Sequence, residues 1–97
     1  MELSENENVE FKKTTGELKQ GIISICAILN KHFQGTLFFG VKNDGTIVGQ
    51  NVSEKSIRDI SQSIANHLDP PIYPKITKET FNNTDYIKVS FNGTDKP

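Results

Sequence analysis

Three acids in this chain could together hold a divalent cation. Glu5 and Glu10 lie near the amino terminus, and Asp44 sits in a predicted turn. Converging carboxylates that bind Mg²⁺ or Mn²⁺ are a common device for phosphodiester cleavage. Acidic termini are also commonly just solvated, and Glu10 shares a predicted strand face with Lys12, so a plain ion pair competes with that role. A second constellation is basic: Lys12, Lys13, Lys19, Lys31, His32, Lys42, Lys55 and Arg58. Phosphate contacts from such side chains give affinity without base readout. Lys31 and His32 also have a structural use, because cations at a helix carboxyl end offset the macrodipole.

A third pattern is Gly35-x-x-x-x-Gly40, the glycine spacing of a phosphate loop. The residues between are Thr-Leu-Phe-Phe, which favour a strand, and Val41-Lys42 follows instead of Lys-Ser or Lys-Thr. A phosphate loop needs exposed backbone N–H groups and a helix behind them. Gly35 is therefore read as a helix-to-strand turn and Gly40 as a close-packing strand residue. One cysteine and two histidines at distant positions give no zinc spacing. No nucleophile-elbow pattern is present.

These residues need a scaffold, and 97 residues make one domain with a modest core. The single Cys26 cannot form an internal disulfide and lies in an apolar helical run, where a small buried hydrophobe is expected. That usage, no signal-peptide pattern and no apolar run of membrane-spanning length predict a cytoplasmic chain. Net charge is −1 but uneven: residues 1–10 carry four acids and no base, and residues 11–58 carry an excess of +4. Any polyanion site must be a local patch in that middle segment.

Val9 and Phe11 alternate with Glu10 and Lys12, a short strand. The Thr14…Glu17 spacing fits a capping box. Leu18, Ile22, Ile25, Leu29 and Phe33 then mark one face of a helix over about 16–33. Asp44-Gly45 predicts a hairpin turn between strands at 36–41 and 46–49. The first of these is apolar on both faces, as for a central or interface strand. Ser53 is a candidate N-cap for a helix buried through Ile57, Ile60, Ile64 and Leu68, which Pro70-Pro71 ends. Asn82-Asn83 predicts a second hairpin, 73–81 and 85–91. The order β-α-β-β-α-β-β predicts an α+β fold, two helices on a mixed sheet of four to five strands.

Glu5-Asn6-Glu7-Asn8-Val9-Glu10-Phe11-Lys12, Ile25 to His32, Gly35 to Gly49 and the closing Lys96-Pro97 together resemble the Schlafen-type AlbA-like domain. Bacterial members carry labels such as DNA-binding or divergent AAA domain. The resemblance implies an amino-terminal module of a longer transcriptional-regulator-like protein, with any ATP-binding region further along that chain. In animal Schlafen proteins the domain resembles a tRNA- and rRNA-cleaving nuclease built on three acids. Glu5 and Glu10 match two of them; Asn43 stands at the third position, with Asp44 next.

The neutral amide at Asn43 favours a binding module over a nuclease. The leading expectation is DNA or RNA binding through Lys12, Lys13, Lys31, His32 and Lys42, with no cofactor and no membrane. The first alternative is a ribonuclease using Glu5, Glu10 and Asp44 with Mg²⁺ or Mn²⁺. The second is a scaffold that forms a homodimer through strand 36–41 or an exposed sheet edge.

Overall fold

A computed structural model describes residues 6–93. Strand β1 (Val9–Lys12) leads through a single 3₁₀ turn (Thr15–Glu17) into helix α1 (Leu18–Lys31). Strand β2 (Gln34–Phe39), helix α2 (Glu54–His67) and strands β3 (Lys75–Phe81) and β4 (Thr84–Asn92) follow. The sheet order is β1-β2-β4-β3, with β1 parallel to β2 and the other pairs antiparallel. The expected α+β fold, two helices with a mixed four-stranded sheet, is what forms.

The order differs at one place. Residues 46–49, expected as a strand, contribute a single bridge between Val41 and Ile47. The turn itself is as expected. Gly45 has φ +91°, the Lys42 N–H donates to Thr46 O, and the Gly45 N–H donates to Lys42 O. What stops a longer hairpin is Gly40. Its carbonyl accepts from both Val48 and Gly49, folding the connector back onto the end of β2. The second hairpin turns at Asn82 (φ 50°) and Asn83 (φ 61°), as the residue types predict.

Helix starts follow local chemistry. Ser53 Oγ accepts from the Ser56 N–H while Ser56 Oγ accepts from the Ser53 N–H, a reciprocal cap on α2. Ser53→Ala should cost about 1 kcal/mol of stability in urea unfolding. At the first helix the box is displaced by one residue. Thr14 Oγ1 accepts from Gly16, and Glu17 reaches back to the Lys13 N–H at 2.9 Å.

The alternation of β2 sends its side chains into two clusters. Leu37 and Phe39 pack with Ile87, Val89 and Phe91 of β4 beneath Ile22, Ile25 and Ile28 of α1 and Ile60 and Ile64 of α2. On the opposite face Phe38 meets Phe11, Tyr86 and Val41, with Ile47 of the connector packed beside them. Phe38 is only 8% exposed, so the second apolar face of β2 is covered within the chain.

Two positions depart from the helical reading. Phe33 follows the end of α1 and is 64% exposed, so it is not part of the buried helix face. Cys26 is half-buried, in a groove with Leu29, Leu68 and Ile72.

Candidate functional site

The β1–α1–β2 crossover brings the carboxyl ends of two parallel strands to one end of the sheet. Clefts at such ends are common ligand sites in sheets with parallel strands. Here the Lys12 carbonyl accepts from the Gly40 and Val41 N–H groups, at 2.9 and 3.1 Å. That tie holds the chain after β1 against the chain after β2. Between them lies a cleft of about 640 Å³ lined by Lys13, Glu17, Val41, Lys42, Asn43 and Asp44.

The structure divides the five basic residues expected to act together. Lys13 and Lys42 line the cleft, and Lys12 ends β1 beside it on the helix side of the sheet. Lys31 and His32 end α1, at the opposite end of the sheet, where β2 begins. His32 Nε2 lies 3.5 Å from Glu7 Oε2. Lys12, Lys13, Lys31 and Lys42 make no ion pair among the described residues. Lys55, by contrast, is held by Asp59 at 2.7 Å.

The cleft's carboxylates serve its walls. Glu17 accepts from the Lys13 backbone, and Asp44 Oδ1 accepts from the Thr46 N–H at 2.9 Å. Hydrogen bonding from Thr46, aided by the nearby Lys42 charge, lowers the Asp44 pKa below the ordinary carboxylate value. A lowered folded-state pKa gives stability that is present above the unfolded pKa and lost as pH falls through the folded one. In an NMR titration the Thr46 amide should therefore report a midpoint below the usual carboxylate range. Asp44→Ala should abolish that step.

The acidic constellation is dispersed in what the structure describes. Glu10 points to the helix side and accepts from Ser24 Oγ at 3.3 Å. Asp44 is committed to its turn, and Glu5 lies outside the described residues. Among the described residues no three His, Cys, Asp or Glu side chains gather as a metal site. Glu10 and Asp44, the two of these acids that the structure describes, are each engaged by a separate hydrogen-bond partner.

Gly35 departs from the turn expected of it, whereas Gly40 packs closely as expected but just beyond the strand. Gly35 is a buried strand residue, where a Cβ would stand 2.7 Å from Ile28 Cγ2 and 2.9 Å from Asn8 O. Gly40 bends the chain out of β2 at φ +93°, and a Cβ there would stand 3.1 Å from Tyr86 Cβ. Neither belongs to a phosphate loop, because residues 34–39 are strand β2. Sequence reasoning also missed Gln50. Its Oε1 accepts from the Thr15 N–H and its own N–H donates to Asp85 O, so it braces the cleft wall. No local pattern marks it.

A helix-backed mixed sheet with an open, lysine-edged cleft at its parallel strand ends defines a small α+β domain. The chain belongs to the Schlafen AlbA_2 family, whose model matches residues 5–97. No significant match was found among curated proteins or solved structures. No helix among the described residues is long and apolar enough to cross a membrane.

Proposed function

We propose that this domain is the nucleic-acid-binding module of a longer, transcriptional-regulator-like protein and that it grips phosphates at the β1/β2 cleft. The observation that carries this reading is the meeting of Lys12, Lys13 and Lys42, none of them ion-paired among the described residues, at one end of the sheet. Family membership supports it. Lysine recognition of phosphate requires no metal ion. It is electrostatic and independent of base identity.

Glu17 and Asp44 cancel the formal charge of Lys13 and Lys42 in the cleft lining, and Lys12 beside it supplies the positive excess, so each lysine counts. Fluorescence anisotropy with duplex DNA and structured RNA, titrated with salt, tests the reading. The Lys13→Glu/Lys42→Glu double variant should bind roughly tenfold more weakly or worse, and its salt slope should fall by about two. Lys31→Glu, at the far end, serves as the comparison. Undetectable wild-type binding at low salt, or equal loss in both variants, would remove the cleft as the contact. Retention of binding in a chelator separates this function from metal-dependent cleavage.

A further inference from the structure

The outer surface of α2 carries a separate hollow of about 300 Å³, lined by Arg58, Ser61, Gln62, Ala65, Asn66 and Tyr73. This volume is at the small end of the ligand-pocket range. Arg58, Gln62 and Asn66 recur every fourth residue, so they form one exposed row along the helix. Ser61 and Ala65 are small and half-buried, and they leave a depression beside that row. Tyr73, from the segment after α2, stands at its edge and is 58% exposed.

Exposed polar residues on a helix are ordinary, and so is one exposed ring. Their combination is specific. Among the described residues, the side chains of Arg58, Gln62, Asn66 and Tyr73 make no hydrogen bond or ion pair. The neighbouring Lys55 and Asp59, by contrast, satisfy one another. The hollow thus offers one flat aromatic face, two amides that each donate and accept, and one guanidinium fork. No carboxylate lines it, and its surface is mixed, with the ring, Ala65 and side-chain stems set among the polar groups. A hydrophobic peptide anchor would leave the guanidinium and both amides unmatched there. A planar heteroaromatic ring with hydrogen-bonding edges matches all three features: stacking from Tyr73, edge contacts from the amides, and donation from the Arg58 guanidinium to ring acceptors.

We propose that this hollow binds a single unpaired nucleobase, stacked on Tyr73 and contacted by Gln62 and Asn66. The biological ligand, an unpaired stretch of DNA or RNA, rests on the nucleic-acid reading above. The site itself shares no residue with the cleft, and a free nucleoside, which has no phosphate, is a sufficient probe.

NMR titration of the full chain with adenosine and with uridine at millimolar concentration should shift the Tyr73 ring signals and the amides of 58–66. Tyr73→Ser and Gln62→Ala should each weaken this roughly tenfold, and Tyr73→Phe should retain it. Lys13→Glu/Lys42→Glu should leave nucleoside binding unchanged, so failure of the phosphate cleft and failure of the base site read differently. Equal shifts from ribose 5-phosphate would show an anion site and overturn the proposal. So would the absence of shifts in the folded wild-type protein, or undiminished shifts in Tyr73→Ser.

Discussion

Phe39→Ala is expected to lower stability by about 3–5 kcal/mol, the usual loss for a large aromatic in a core that relaxes only partly. Phe39 is fully buried on the helix side of β2. Helix α1 approaches it through Gly21, where a Cβ would already lie 3.3 Å from the ring. With Leu37 and Ile25 equally buried, little can move in to fill the space. Domains of this size have about 5–15 kcal/mol in total, so the variant should sit near the edge of folding. Urea unfolding should show a lower midpoint with an unchanged slope. A loss below about 1 kcal/mol would show that the site collapses around the truncation. Phe33→Ala, at a mostly exposed ring, should change stability by about 0.5 kcal/mol or less.

Gly49→Ala is expected to cost about 3 kcal/mol, with two separable sources. Gly49 sits at φ +81°, which costs a residue with a Cβ about 1–2 kcal/mol. The new methyl would also run into Thr84 Cγ2 and approach Asp85 O at 3.1 Å, an overpacking cost of about 1–3 kcal/mol. The Asp85 carbonyl cannot easily retreat, because it accepts from the Gln50 N–H at 2.9 Å. Thr84→Ser removes the methyl in the way. In a double-mutant cycle it should recover the packing part and leave the backbone part. Simple additivity would mean that the strain is wholly conformational. The sign is informative in itself. Gly→Ala at a compatible position normally stabilises by about 0.4–1 kcal/mol through the unfolded state.

Gly49 also shows why parts of the connector were hidden in the sequence. Asp44-Gly45 announces its turn locally, through an Asx contact and a positive φ. Residues 46–49 have strand-forming composition, yet they pair at one bridge only, because the Gly40 carbonyl captures Val48 and Gly49. That capture depends on where β4 places Thr84 and Asp85, about forty residues away in the chain. Gln50 is the same kind of case. It bridges Thr15 and Asp85, and neither contact leaves a periodic trace.

The candidate site was legible in its residue types and only partly in its grouping. Lys13 and Lys42 share a cleft, with Lys12 beside it, because a parallel β1–β2 pair must place both carboxyl ends together. Lys31 and His32 are excluded from that group for the same reason, since a crossover helix runs back to the far end of the sheet. The acids separate by a similar logic. Pleat parity turns Glu10 toward α1 and Ser24, while Asp44 is held at the turn beyond β2.

By itself the sequence determined what short-range physics controls. Apolar repeats at helical spacing set α1 and α2, Ser53 set a cap, Asn82-Asn83 set a hairpin, and ordered motifs over most of the chain carried the family resemblance. The tertiary structure alone decided which strand ends meet, which lysines share a cleft, and which glycine lies inside the strand. It also decided that Tyr73 stands beside the polar row of α2. Those outcomes depend on contacts between residues far apart in the chain. Strand order and crossover direction set such contacts, and no local window of residues records them.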